Sequence, residues 1–386
     1  MRSYRLLLAL WCVAIISTTA GIEAIGGGGG GRLLSQFRER RLERVRQRQE
    51  RFSPAFDQAI SRNSSENADD DDDWSVEAER GVNALAPAQN KGTASSRRLL
   101  EEKIIFRFYH GGNLTKTMTL SRDERLLNGT DCTPDQRFAI IVHGWHENCY
   151  EVPWVQDLRH NLHTYRGGCI ACMDYSAFSS GSYRSLLVRF RDIRDVLLRL
   201  VQKLRYEGVE YGRIFMYGFS FGAQLTLDVG RNVGGSELEA IDTCDMAGPG
   251  FDGERMFRQS DFRTAAKNVQ CIHTSIDKGT RFPNKCHQNW RMGLCGMRQA
   301  AAGPPPLGSH GLCPVFYNLA FKYQFVAQPK PPECLALGDT AIYPRNYRMG
   351  YVEDRKSEVR GELYALTSDA YPYTVYTNPY NFFEYF

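Results

Sequence analysis

The feature that most constrains this chain is Gly218-Phe219-Ser220-Phe221-Gly222, set between the apolar run Ile214-Phe215-Met216-Tyr217 and a helix-compatible run from Ala223 to Val229. In a chain with 35 glycines the bare G-x-S-x-G spacing can arise by chance, so the flanks carry the weight. A buried strand must turn sharply into a helix, and glycines on both sides of the serine let the two backbones approach closely. Such a turn strains the serine and lifts its hydroxyl above a sheet. The hydroxyl then sits at a helix N-terminus, whose dipole favours developing negative charge.

The surrounding pattern agrees with that geometry. Short apolar runs bounded by turn signals predict strands at Ile104–Tyr109, Phe138–Val142, Cys169–Met173, Ile214–Tyr217, Ala240–Thr243 and Val269–Thr274. Helical spacing is clearest from Ser185 to Glu207, where Leu186, Phe190, Ile193, Leu197, Leu200 and Leu204 share one face. Strands buried on both sides and alternating with helices predict an α/β fold, a mainly parallel central sheet covered by helices. No internal repeat is visible.

The N-terminal region has a different texture. Arg2 and Arg5 precede an apolar run from Leu6 to Ile16 and small residues at Ser17 to Ala20, the order of a secretory signal peptide over residues 1–24. The apolar run is shorter than the roughly 20 residues a membrane span needs, and no later segment reads as transmembrane. Residues 25–103 combine Gly26–Gly31, an Arg-rich stretch from Arg38 to Arg51 and the acidic run Asp69–Asp73. That composition predicts a low-complexity, charged, disordered segment, with Arg97-Arg98 as a candidate processing site. Residues 104–386 form the expected folded domain.

The mean hydropathy of −0.43 reflects this polar region, and the net charge of +4 is too even to imply a nucleic-acid partner. Of 11 cysteines only Cys12 lies in the expected signal, and the other ten, between Cys132 and Cys334, suit disulfides in an oxidising, extracellular setting. Asn63, Asn113 and Asn128 begin N-x-[ST] sequons, acceptable for glycosylation there.

A serine hydroxyl is a poor nucleophile without a base, and the base needs an orienting carboxylate. After this kind of turn the chain order is Ser, Asp/Glu, His. Asp245 stands just beyond the strand Ala240–Thr243, where the acid belongs. The base then lies among His273, His287 and His310. His273 falls inside an apolar strand and reads as structural, His287 follows Cys286, and His310 occupies the Gly/Pro-rich loop Gly303–Gly311; His310 is the preferred base. The oxyanion hole is assigned to the backbone amides of Phe221 and of Trp145, the latter after Phe138–Val142 in His143-Gly144-Trp145. Cys169-Ile170-Ala171-Cys172 has redox-motif spacing but lies in a strand, so structural disulfides are expected. Cys286-His287 lacks a second ligand pair, and neither metal nor cofactor is assigned.

Taken with Ile141-Val142-His143-Gly144-Trp145, Gly218 to Ala223, Asp245 followed by Ala247, Pro249 and Phe251, and Ile272-His273-Thr274, the chain resembles the pancreatic-lipase family of secreted neutral lipases and sn-1 phospholipases. The resemblance extends from about Ile104 to Val375, with the late stretch from Gly350-Tyr351 through Leu363-Tyr364 to Pro372-Tyr373 similar to the family domain's final strands. It implies an α/β-hydrolase fold, Ser220 as nucleophile, Asp245 as acid, and the short form without a C-terminal lipid-binding β-sandwich. It also implies a disulfide-closed lid between Cys295 and Cys313, here carrying Pro304, Pro305 and Pro306.

Some positions depart from the family. Its base stands two residues after the cysteine closing the lid, yet Cys313 is followed by Pro314 and Val315, which leaves His310 as a displaced substitute. Met246 replaces the proline that commonly follows the acid, no carboxylates around Phe251 to Ala266 match the family's calcium site, and His287-Gln288-Asn289-Trp290 resembles a structural segment.

The expected function is a secreted carboxylic-ester hydrolase acting on lipid, a triacylglycerol lipase or phospholipase, by a Ser-Asp-His mechanism. Lipid ester is the expected partner, with association to a lipid surface. The alternative is a catalytically weak or inactive lipid-binding protein of the yolk or storage type.

Overall fold

The computed structural model describes residues 99–376 apart from 121–124, 253–260, 282–284, 304–307 and 335–336. The expected signal peptide, most of the charged segment, Asn63, Arg97-Arg98 and the three prolines 304–306 lie outside the described residues. The last residues of the segment read as disordered, 99–103, form a short helical turn with Leu100 buried and Glu101 paired with Arg199.

The chain has an α/β-hydrolase fold built on a nine-stranded sheet in the order β2-β1-β4-β3-β5-β6-β7-β8-β9. The strands are β1 (Ile105–His110), β2 (Asn113–Met118), β3 (Phe138–Val142), β4 (Cys169–Asp174), β5 (Ile214–Phe219), β6 (Ala240–Cys244), β7 (Asn268–His273), β8 (Gln288–Met292) and β9 (Gly361–Ala365). β1 runs antiparallel to both β2 and β4, and every pairing from β4 to β9 is parallel. Gly111 and Gly112, at φ 57° and 82°, make the two-residue turn of the β1–β2 hairpin.

All five residues of β3 and all six of β5 are buried. Alternation sends Phe138, Ile140, Val142, Ile214 and Met216 into the core on one face, and Ala139, Ile141, Phe215 and Tyr217 into the core on the other. The first face carries α4 (Phe190–Tyr206) and α5 (Phe221–Val233). The second carries α1 (Pro153–Tyr165) and α6 (Leu312–Leu319). Two short helices, α2 (Ser176–Ser179) and α3 (Tyr183–Val188), precede α4.

The continuous helix expected over Ser185–Glu207 is broken at Arg189, whose φ of −89° and ψ of −1° end α3. Ser182 caps α3 by accepting from the Ser185 amide at 3.3 Å. The change of direction lets Leu186 and Leu187 of α3 and Phe190 and Ile193 of α4 all reach the core. Burial of Ile193, Val196, Leu197, Leu200, Val201 and Leu204 holds α4, at roughly 1.5–3 kcal/mol per side chain. Its exposed ion pair Arg205–Glu210 contributes roughly 0–1 kcal/mol.

Five disulfides join Cys132–Cys169, Cys149–Cys172, Cys244–Cys313, Cys271–Cys286 and Cys295–Cys334. Cys169 and Cys172, three apart on β4, face opposite cores and bond to different partners, so their spacing has a structural use. The expected lid closure by Cys295 and Cys313 is overturned: each bonds elsewhere. Among the described residues no helix is long and apolar enough to cross a membrane.

Candidate active site

Ser220 follows β5 directly and precedes α5, with φ 55° and ψ −120°. A non-glycine residue at positive φ costs about 1–3 kcal/mol and persists only where its surroundings impose it. Here the Ser220 amide donates to Cys244 O at 3.0 Å, and Ser220 O accepts from the Ala247 amide at 3.1 Å. The flanking glycines are required. A Cβ on Gly218 would lie 2.6 Å from Gly222 O, and one on Gly222 would lie 2.3 Å from His143 O. The tight turn therefore also packs α5 against the loop after β3.

Asp245 follows β6, the neighbour of β5, and is fully buried. Its Oδ1 accepts from the amides of Thr274 at 2.8 Å and Ser275 at 3.1 Å. Its Oδ2 accepts from Ser275 Oγ at 2.5 Å and from His310 Nδ1 at 2.7 Å. Because Nδ1 donates, Nε2 of the neutral imidazole is the acceptor, and it lies 2.9 Å from Ser220 Oγ. The Phe219 ring lies 4.8 Å from the His310 ring and limits its rotation. Ser220, Asp245 and His310, separated by 90 residues along the chain, thus form one hydrogen-bonded row.

The other two histidines are occupied structurally. His273 Nε2 lies 3.2 Å from Asn289 Oδ1, and burial, with the Arg291 charge, holds its pKa well below the ordinary value. His287 Nδ1 accepts from the Val269 amide at 3.0 Å. Cys313, three residues after His310, is bonded to Cys244, the residue before the acid.

The segment His143-Gly144-Trp145 passes over Ser220: a Cβ on Gly144 would lie 3.2 Å from Ser220 Cβ. His143 is buried and stacked on Tyr175 at 4.2 Å, with Nδ1 2.8 Å from Gly144 O. Trp145 Nε1 donates to Gly181 O at 2.8 Å, which anchors its side chain toward α3. Phe221 is the first residue of α5, and its ring packs among Phe190, Tyr183 and Phe251. Phe221 thus directly follows Ser220, and Trp145 follows the glycine that passes over it. Sequence reasoning gave no site role to Thr274, Ser275 or Glu147, whose contacts with Asp245 and Gly144 run through backbone amides, a hydroxyl and a carboxylate that no spacing rule marks.

Comparison with known proteins gives three kinds of likeness. A family model described as Lipase matches residues 76–284, which include Trp145, Ser220 and Asp245 and stop short of His310. Lipase member H-A of Xenopus laevis is 25% identical over 143 residues, 37% of this chain and 31% of that protein. Lipase member H of Danio rerio is 26% identical over 140 residues, 36% and 30% of the two chains. The chain thus aligns with about a third of the length of the curated relatives it matches. Among solved structures, a phospholipase/carboxylesterase from Dyadobacter fermentans overlaps with a TM-score of 0.28 at 16% identity, over 36% of this chain and 64% of that one. A serine hydrolase without a lid from Xanthomonas campestris gives 0.25 at 15%, over 36% and 61%.

Proposed function

The chain belongs to the lipase family, and from that premise we propose that it is a secreted carboxylic-ester hydrolase acting on lipid. The observation that carries the proposal is the row Asp245–His310–Ser220, with bonds of 2.7 and 2.9 Å, meeting at a serine in a strained strand-to-helix turn. His310 Nε2 takes the Ser220 hydroxyl proton as Oγ attacks the ester carbonyl carbon. Asp245 holds the imidazole in the required tautomer and stabilises the imidazolium that forms. The amides of Trp145 and Phe221 hold the developing oxyanion. Collapse of the tetrahedral species breaks the ester C–O bond, and His310 returns the proton to the leaving alcohol. Water, deprotonated by His310, then attacks the acyl-enzyme and releases the fatty acid.

Export is supported by the five disulfides and by the exposure of the sequon residues Asn113 and Asn128. Against the alternative of a binding or storage protein weigh the contacts of His310, whose Nδ1 lies 2.7 Å from Asp245 Oδ2 and whose Nε2 lies 2.9 Å from Ser220 Oγ although the residue is displaced along the chain.

The test is labelling of the secreted protein with a fluorophosphonate, alongside Ser220→Ala and His310→Ala. Labelling of wild type that is lost in both variants supports the proposal. A folded wild type that neither labels nor hydrolyses a short-chain ester would return the chain to a binding role.

A further inference from the structure

Glu147 lies two residues beyond Trp145 and no motif marks it. Its Oε2 accepts from the Gly144 amide at 2.7 Å, and its Oε1 accepts from Trp154 Nε1 at 2.7 Å. The carboxylate therefore ties the loop over Ser220 to the first turn of α1. The Trp154 ring packs edge-on against Phe219 at 5.7 Å, and Phe219 in turn faces His310. The backbone oxygen of Glu147 also accepts from Ser179 Oγ at 3.2 Å.

These bonds fix one particular peptide. His143 Nδ1 holds Gly144 O at 2.8 Å, while Nε2 accepts from the Tyr175 amide at 3.3 Å, so Nδ1 is the donor to Gly144 O. In a trans peptide the following N–H, that of Trp145, points opposite to Gly144 O. With Gly144 N–H held by Glu147 and Gly144 O held by His143, the Trp145 amide has little freedom to turn. Both groups that meet the Glu147 carboxylate are N–H donors. A carboxylate satisfies both; an amide of the same shape presents its own NH2 to one of them.

We propose that Glu147 is a positioning residue for ester hydrolysis, its carboxylate fixing the Gly144–Trp145 peptide that supplies an oxyanion donor. This rests on the ester-hydrolase reading of Ser220. Burial pushes the Glu147 carboxyl above its ordinary range, opposed by the bonds from Trp154 and Gly144 and by the imidazoles of His143 and His310. A buried charge beside a site where negative charge develops is costly, and the two N–H bonds give a reason to keep it.

The experiment compares wild type, Glu147→Gln and Glu147→Asp on a soluble p-nitrophenyl ester, with affinity for a trifluoromethyl ketone measured in parallel. The ketone forms a tetrahedral adduct with serine and reads the oxyanion donors directly. Glu147→Gln is expected to lower kcat about 10- to 100-fold, since losing a whole oxyanion donor costs about 10²–10³. Ketone affinity should fall by a similar factor with KM little changed. Glu147→Asp retains charge but cannot span both donors, and should fall between. A merely structural role would lower the amount of folded protein without separating kcat from KM. Unchanged kcat and ketone affinity in a folded Gln or Asp variant overturns the proposal, as does failure of both variants to fold, which would make Glu147 a requirement of the fold. A folded wild type inert toward both ester and ketone defeats the ester-hydrolase reading instead.

Discussion

Cys244 and Cys313 are joined with their Cα atoms 5.5 Å apart, so the residue before Asp245 is covalently tied to the residue three after His310. The two members of the row that must touch are thereby held from their chain neighbours. The bond closes a separation of 69 residues and contributes about 4 kcal/mol in the chain-entropy account. Its position predicts a second effect. The double variant Cys244→Ala/Cys313→Ala should lower kcat about 10-fold or more in protein that is still folded, because misplacing a reacting group by about 1 Å can cost about 10²-fold. Turnover per folded molecule measures this, with near-UV circular dichroism as the check on folding. Full turnover would assign the bond to stability alone.

Asp245 Oδ2 is shared between Ser275 Oγ and His310 Nδ1, and Ser275 Oγ also accepts from the Gly279 amide at 3.1 Å. Ser275→Ala removes one donor and leaves both backbone amides on Oδ1, so kcat should fall only modestly, about 3- to 10-fold, as for loss of one hydrogen bond of about 0.5–1.5 kcal/mol. Asp245→Asn should be far worse, about 10³–10⁴-fold, because an amide NH2 facing Nδ1 favours the wrong tautomer. Kinetics of both variants on one ester give the ranking. Equal losses would show that the serine hydroxyl, and not the carboxylate charge, orients the base.

The strands most legible in the sequence are β3 and β5, which emerge within two residues of their expected limits because both of their faces are apolar. β6 and β7 emerge as closely, although Asp242, Thr243, Gln270 and His273 are buried polar positions within them. β2 was missed because it is a polar edge strand, with Asn113 and Leu114 exposed. β8 was missed for the opposite reason. It is buried throughout, yet Gln288, Asn289 and Arg291 are polar and bond to Val359 O, His273 and Glu362.

The site follows the same division. Ser220 and Asp245 were marked by the strands before them, whereas His310 emerged by elimination. It meets Asp245 beside the disulfide between Cys244 and Cys313, and no local pattern encodes that pairing. The family resemblance paired Cys313 with a lid instead, and the structure corrects it.

Gly222 offers a steric test of the turn. A Cβ there would lie 2.3 Å from His143 O and 2.4 Å from Val142 O, both backbone atoms that cannot swing aside. Gly222→Ala should therefore separate α5 from the loop after β3, at about 1–3 kcal/mol or more of stability. It should also abolish fluorophosphonate labelling, since Ser220 and the Trp145 amide would move apart. Thermal denaturation and labelling rate are the two readouts. Wild-type values in both would mean that the contact between α5 and this loop is looser than the geometry requires.

His287 makes the fold sensitive to acid at a place remote from Ser220. Burial, followed by the charges of Arg360 and Arg263, lowers its pKa to about 4, and the neutral ring accepts from the Val269 amide at 3.0 Å. In the unfolded chain the same ring takes a proton near pH 6.5. The unfolded state therefore binds more protons between about pH 6.5 and 4, and stability must fall as pH falls through that window. The contribution is complete above about pH 6.5 and lost below about pH 4; allowing for partial exposure of the ring it amounts to about 1–2 kcal/mol. His273, buried and also lowered, acts in the same direction, so a variant at position 287 should reduce the slope without abolishing it. His287→Gln keeps an acceptor for the Val269 amide and removes the titration. Urea midpoints at pH 7 and pH 4.5 should differ less in this variant than in wild type. Equal differences would mean that His287 takes its proton as readily in the folded protein as in the unfolded chain, and that acid sensitivity has another origin.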